Sequence, residues 1–166
     1  MWLNSDVAIR QAVLEKARSY GPLDLPYIIA VDALLDHVDD VDVANAFFGT
    51  EIGVVSMQPD GEPGPLRMTR RPDGAWATAD GPRYTRTSGV LLGVGVTPWT
   101  LERTALCLYH NPWAARPYRS PLTRLRQAKL AREYADVAAA YLPETCFTLT
   151  EGEPLTGLLD LQTPWP

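Results

Sequence analysis

Only two cysteines and two histidines occur among the 166 residues, and their scarcity excludes several kinds of chemistry at once. Cys107 and Cys146 match neither metal-ligand nor redox spacing and sit in apolar, strand-like surroundings. They read as buried structural thiols in a chain suited to a reducing cytoplasm. No apolar run approaches the ~20 residues that cross a bilayer, and residues 1–11 lack a basic region followed by an apolar core. The sequence therefore predicts a soluble, cytoplasmic protein without a membrane partner. Lysine is nearly missing too, since thirteen of the fifteen basic side chains are arginine. Gly89, Gly93 and Gly95 accordingly have no lysine and no serine or threonine placed to close a phosphate-binding loop, and they fall inside an apparent strand. Nothing in the composition calls for a cofactor.

What is present is a set of buried-strand runs separated by strong punctuation. By length the chain is one domain, read as residues 1–150 with a tail over 151–166. Apolar runs without a helical stripe predict strands over 27–32, 89–96 and 104–110, the last two as antiparallel neighbours covered on both faces. Val31, Leu91, Leu92, Leu106 and Leu108 are the expected core of these strands. A helix over 6–20, capped by Ser5 and stopped by Gly21-Pro22, presents Val7, Val13, Leu14 and Ala17. The crowded acids Asp36, Asp39, Asp40 and Asp42 beside His37 read as a capping turn, with Asp40 or Asp42 starting a short helix that ends at Gly49. One acidic turn does not supply the converging ligands a hard metal needs. Residues 51–57 return to strand, 59–65 to a turn-rich loop, 75–77 to a short strand at the sheet edge, and 146–149 to an edge strand. Ser120-Pro121 predicts a helix over 121–142 whose alanine-rich half docks. The fold class expected is α/β, a mixed central sheet with flanking helices.

Charge is segregated. Residues 1–60 carry a net −7, residues 61–132 a net +8 and residues 133–166 a net −6, within a total of −5. The arginine-rich middle suits a polyanion such as nucleic acid, unless the blocks neutralise one another in the fold. Within it, Arg83, Tyr84, Arg86 and Ser88 precede a buried strand, so that two guanidiniums can clamp a phosphate while the ring packs beside a sugar or base. His110 and Asn111 emerge where the next strand reaches the surface, followed by Arg116. Imidazole titrates near neutral pH and is the natural acid or base there. Cys107 lies at odd separation from His110 along the strand, which sets the two on opposite faces and argues against a dyad.

Short motifs in order, Lys16-Ala17-Arg18-Ser19-Tyr20, residues 25–31, Ala46-Phe47-Phe48-Gly49, Gly74-Ala75-Trp76, residues 86–90 and Leu108-Tyr109-His110-Asn111-Pro112, resemble a group of uncharacterised bacterial proteins. In longer members of that group the segment is similar to the C-terminal half of a restriction-endonuclease-like, PD-(D/E)XK fold. The resemblance spans about the first 120 residues and implies a nuclease-like half domain. It further implies that the acidic metal-binding pair and the Glu-x-Lys motif would precede the first helix. Glu15-Lys16 lacks the intervening residue and does not count.

The leading expectation is thus a non-catalytic or truncated nuclease-like module whose arginine-rich region contacts nucleic acid or a protein partner. One rival is a small enzyme using His110 and Asn111 with Arg86 or Arg116 on an anionic small molecule. Another is a protein-interaction domain anchored by Trp99, Trp113 and Tyr118.

Overall fold

The computed structural model describes residues 4–21, 23–34, 37–100, 103–104, 106–119, 124–143 and 146–153. In chain order, helix α1 (Ser5–Ser19) leads to strand β1 (Tyr27–Ala33), helix α2 (Asp40–Phe48) and a hairpin of β2 (Glu51–Met57) and β3 (Pro63–Arg70). A two-residue pair, β4 (Ala77–Thr78) and β5 (Gly81–Pro82), follows. The chain then forms β6 (Thr87–Val94), β7 (Cys107–His110), β8 (Arg126–Leu130) and β9 (Phe147–Thr150). The architecture is mixed α/β. Its sheet runs β1-β6-β7-β8-β9, with β1–β6 and β7–β8 parallel and β6–β7 and β8–β9 antiparallel. Among the described residues no helix is long and apolar enough to cross a membrane.

Strand periodicity decides what each face becomes. Ile29, Val31 and Ala33 on β1, Val90 and Leu92 on β6, Cys107 and Tyr109 on β7 and Ala128 on β8 are buried in one core with Ile9, Val13 and Ala17 of α1 and Val43, Ala44, Phe47 and Phe48 of α2. On the opposite face Leu108 is buried, Leu91, His110 and Gln127 are half-buried, and Lys129, Thr148 and Thr150 are exposed. Leu91 and Leu106 are thus not full core as expected, because only one face carries the helices. Val7 is likewise exposed, and the inward stripe of α1 runs through Asp6, Ile9, Arg10, Val13 and Ala17.

The largest departure lies at residues 121–142. The sequence suggests a helix with Leu122, Leu125, Leu130, Tyr134, Val137, Ala138 and Tyr141 on its inward side, but Arg126–Leu130 is a strand inserted between β7 and β9. Beyond it come only short 3₁₀ turns, Arg132–Tyr134 and Ala139–Tyr141. Backbone pairing on both sides overrides the local helical preference. The second helix on the sheet is α2. The proposed start at Ser120-Pro121 lies outside the described residues, as do Asp36, Ala105 and the tail from 154 onward.

Caps and turns also differ in detail. α1 begins after Asn4 without a side-chain cap, and the Ser5 hydroxyl instead donates to the His37 carbonyl at 3.2 Å. α2 has a full capping box between Asp39 and Asp42 and stops at Gly49, whose φ of 107° suits glycine. The expected loop over 59–65 is shorter, since β3 begins at Pro63 and Gly61 donates back to Gln58. Gly74-Ala75-Trp76 is not a sheet-edge excursion. The Ala75 and Trp76 amides donate to Ala46 and Phe47 at 2.8 Å, and Trp76 stacks on Phe47 at 4.1 Å in the core. A β-carbon on Gly74 would lie 2.5 Å from backbone atoms of Phe47, Phe48 and Gly49, so this approach requires glycine.

Candidate functional site

The candidates from the sequence gather around the start of β6 and the end of β7, but most are engaged within the fold. Arg86 donates to the Ala17 carbonyl in the last turn of α1, and Arg18 donates to the Tyr84 hydroxyl at 2.9 Å. Cations suit a helix C-terminus, where carbonyls lack partners. Arg83 donates to the Ala75 carbonyl at 3.3 Å and lies 5.3 Å from the centre of the Tyr84 ring. Tyr84 itself is held at φ 50° in a turn closed by the Thr87 amide. Arg83, Tyr84 and Arg86 therefore form a clasp joining α1 to the segment before β6.

Ser88 and Asn111 have comparable tasks. The β1–β6 register passes from Tyr27↔Thr87 to Ile28↔Gly89, which skips Ser88. The buried Ser88 hydroxyl makes good the interruption by accepting from the Tyr27 amide at 2.9 Å and donating to the Arg116 carbonyl at 2.6 Å. Asn111, also buried, donates to the Thr87 carbonyl at 2.9 Å and accepts from the Trp113 amide at 3.0 Å. Arg116 turns to Asp24, with 3.2 Å to its carboxylate. Asn111, Arg86 and Arg116 thus face different partners from His110, and no described contact joins these groups into a catalytic arrangement.

Part of the charge segregation closes on itself. Arg116–Asp24 links the basic middle to the acidic N-terminal block, and Arg124–Glu153, at 2.6 Å, links it to the acidic C-terminal block. Arg70 is buried against the Leu142 and Gly49 carbonyls and the Asn45 side chain. Arg10 bridges Asp6 at 2.6 Å and Asp73 at 2.7 Å. Burial pushes the Asp73 carboxyl upward, but the Thr50 amide and then Arg10 outweigh it and hold the group below the usual range.

Two further cations, Lys129 and Arg132, lie at the β8–β9 side. Lys129 pairs in register with Thr148, and Lys129, Arg132, Thr148 and Thr150 line a shallow groove of about 400 Å³ together with Leu130 and Glu133. Lys129 and Arg132 are exposed, and neither enters an ion pair among the described residues. One strand away, on the same face, His110 Nε2 lies 2.9 Å from Gln127 Oε1. Its basicity is lowered, first by burial and further by the Lys129 charge, while Gln127 acts in the opposite sense. His110 does not itself line the groove, and the Lys129 charge is what links the two. The helix expected over 121–142 includes Lys129 and Arg132, which the structure places on β8 and in the 3₁₀ turn after it. The alternation of Phe147-Thr148-Leu149-Thr150 was the signal for a polar face beside them.

The other expected features are simply placed. Trp99 is 87% exposed, Tyr118 is half-buried, and Trp113 packs edge-on against Phe48 at 5.8 Å. Both thiols are free and buried, and burial pushes each up to about 11, which makes them poor nucleophiles. Asp39 and Asp42 are occupied in the α2 cap, and among the described residues no group of three His, Cys, Asp or Glu is placed to hold a metal. No family model, curated protein or solved structure matches the chain.

Proposed function

We propose that the chain is a non-catalytic, restriction-endonuclease-like half domain that contacts nucleic-acid phosphates through the Lys129 side of its sheet. The observation carrying this reading is the groove in which Lys129 and Arg132 stand exposed beside the Thr148 hydroxyl, with Glu133 at the same surface and the Thr150 hydroxyl bonded to the Gln127 backbone. Ammonium, guanidinium and hydroxyl donors on one surface suit a sugar-phosphate backbone, a contact that carries no sequence information of its own. Binding should therefore be weak, insensitive to sequence and strongly salt-dependent. The nuclease-like part of the reading rests on the ordered motifs and on the mixed sheet with helices. Cleavage in that fold needs carboxylates holding a divalent ion near the attacking water. Its test is incubation of labelled duplex and single-stranded DNA with the protein and magnesium or manganese at low ionic strength. Binding by fluorescence anisotropy with intact DNA is the expected result, and metal-dependent cutting would overturn the non-catalytic reading.

A protein-interaction domain is the second reading, favoured by the β2–β3 hairpin. Val55, Met57, Leu66 and Met68 are all exposed there, Met57 at 68% and Leu66 at 65%. Two strands alone are marginal in water, so an exposed apolar hairpin is a natural contact surface. Absence of salt-sensitive DNA binding would put this reading ahead.

A further inference from the structure

A separate cleft of about 540 Å³ opens between the β3–β4 connection, the β4–β5 turn and the residues 135–140. Phe48 and Trp113 line it as an aromatic pair in edge contact, and alanines from the Ala135 to Ala140 segment supply a smooth apolar wall. Its size is that of a small-molecule site, and its lining has the usual character of one, apolar with a few polar groups. Those polar groups include both charges. Arg71 and Asp136 line the cleft from different segments, both are exposed, and neither side chain makes an ion pair or hydrogen bond among the described residues. A guanidinium and a carboxylate that share an apolar cleft without pairing are complementary to a ligand carrying the opposite charges around an apolar body.

We propose that this cleft binds a small zwitterion with an apolar side chain, of which an aromatic α-amino acid is the simplest case. The ligand carboxylate meets Arg71, its ammonium group meets Asp136, and its ring lies against Phe48 and Trp113. This inference is independent of the groove at Lys129, because none of its residues line that groove.

The experiment is an NMR titration of the full chain with L-phenylalanine, read at the Trp113 indole N–H. Parallel titrations use 3-phenylpropionate, which lacks the ammonium group, and phenethylamine, which lacks the carboxylate. Saturable binding near ~1 mM is expected for phenylalanine, the strength a ligand of about a dozen heavy atoms supports. Each analogue should bind about tenfold more weakly. Arg71→Gln should remove the preference for phenylalanine over phenethylamine, and Asp136→Asn the preference over 3-phenylpropionate. Both positions are exposed, so the variants should fold, and unchanged spectra away from the cleft check this. Equal binding of all three compounds, preferences surviving in the variants, or no Trp113 shift up to ~10 mM would overturn the proposal. Lys129→Glu with Arg132→Glu should leave phenylalanine binding unchanged, which separates this site from DNA contact.

Discussion

Neighbouring residues on the central sheet meet opposite fates. Leu92 is 4% exposed beneath the helices while Leu91 is half-buried, Tyr109 is buried in an aromatic cluster while His110 reaches Gln127, and Ala128 is core while Lys129 is exposed. The helix-covered face is close-packed and apolar. The other begins apolar at Leu108 and becomes polar and basic toward β9, so the contrast between faces separates packed side chains from solvent-facing ones. The same division runs through the cations. Arg70 and Lys129 belong to one basic block in sequence, yet Arg70 is buried against carbonyls and Lys129 is open to solvent.

The largest effect should come from truncation on the packed face. Leu92→Ala is expected to cost ~2–5 kcal/mol, whereas Leu91→Ala should cost clearly less because the surroundings of Leu91 are already open. Urea unfolding of the pair checks this, and equal losses would break the contrast.

Next comes the cation comparison. Arg70→Met leaves the buried Leu142 and Gly49 carbonyls short of a donor and should cost ~1–3 kcal/mol. Arg132→Met, at the surface, should change stability by less than about 0.5 kcal/mol. A similar loss in both variants by the same urea measurement would mean that the two cations serve the fold alike.

Smaller still is the pH effect at His110. Its folded form favours the neutral ring, so its contribution to stability is fully present above the ordinary imidazole value near ~6.5 and is lost as pH falls through the lower folded value. NMR titration should show His110 protonating below the ordinary imidazole range. Lys129→Gln should move His110 upward, since one cause of the depression is removed, and bound DNA should do the same by adding negative charge. No upward movement in the Lys129 variant would detach His110 from the groove.

Much of this contrast was legible in the sequence because strand runs state their own periodicity. Residues 27–32, the antiparallel pair at 89–96 and 104–110, the Gly49 stop and the edge strand near Cys146 follow from apolar runs and breakers. Hidden was whatever depended on partners distant in sequence. Arg126–Leu130 carries no strong strand preference and becomes a strand only because β7 and β9 pair with it. The availability of a cation is likewise a tertiary property. Arg83 and Arg86 precede a buried strand as a phosphate clamp would, yet the end of α1 and the Ala75 carbonyl take them up. Arg71 and Asp136 lie far apart in the chain, and nothing local pairs them across one cleft.

The account rests on the cations of the Lys129 groove being the ones that meet phosphate. Its most direct test is the slope of log K against log salt for DNA binding, measured for the parent chain, for Lys129→Glu with Arg132→Glu, and for Arg83→Gln with Arg86→Gln. Each phosphate contact contributes about −0.9 to that slope on duplex DNA. The double reversal at Lys129 and Arg132 should flatten the slope by about 2 and weaken binding without loss of stability. The double exchange at Arg83 and Arg86 should lower stability while leaving the slope of the folded protein unchanged. A slope that survives the first pair and collapses with the second would contradict the account and return the phosphate site to the start of β6.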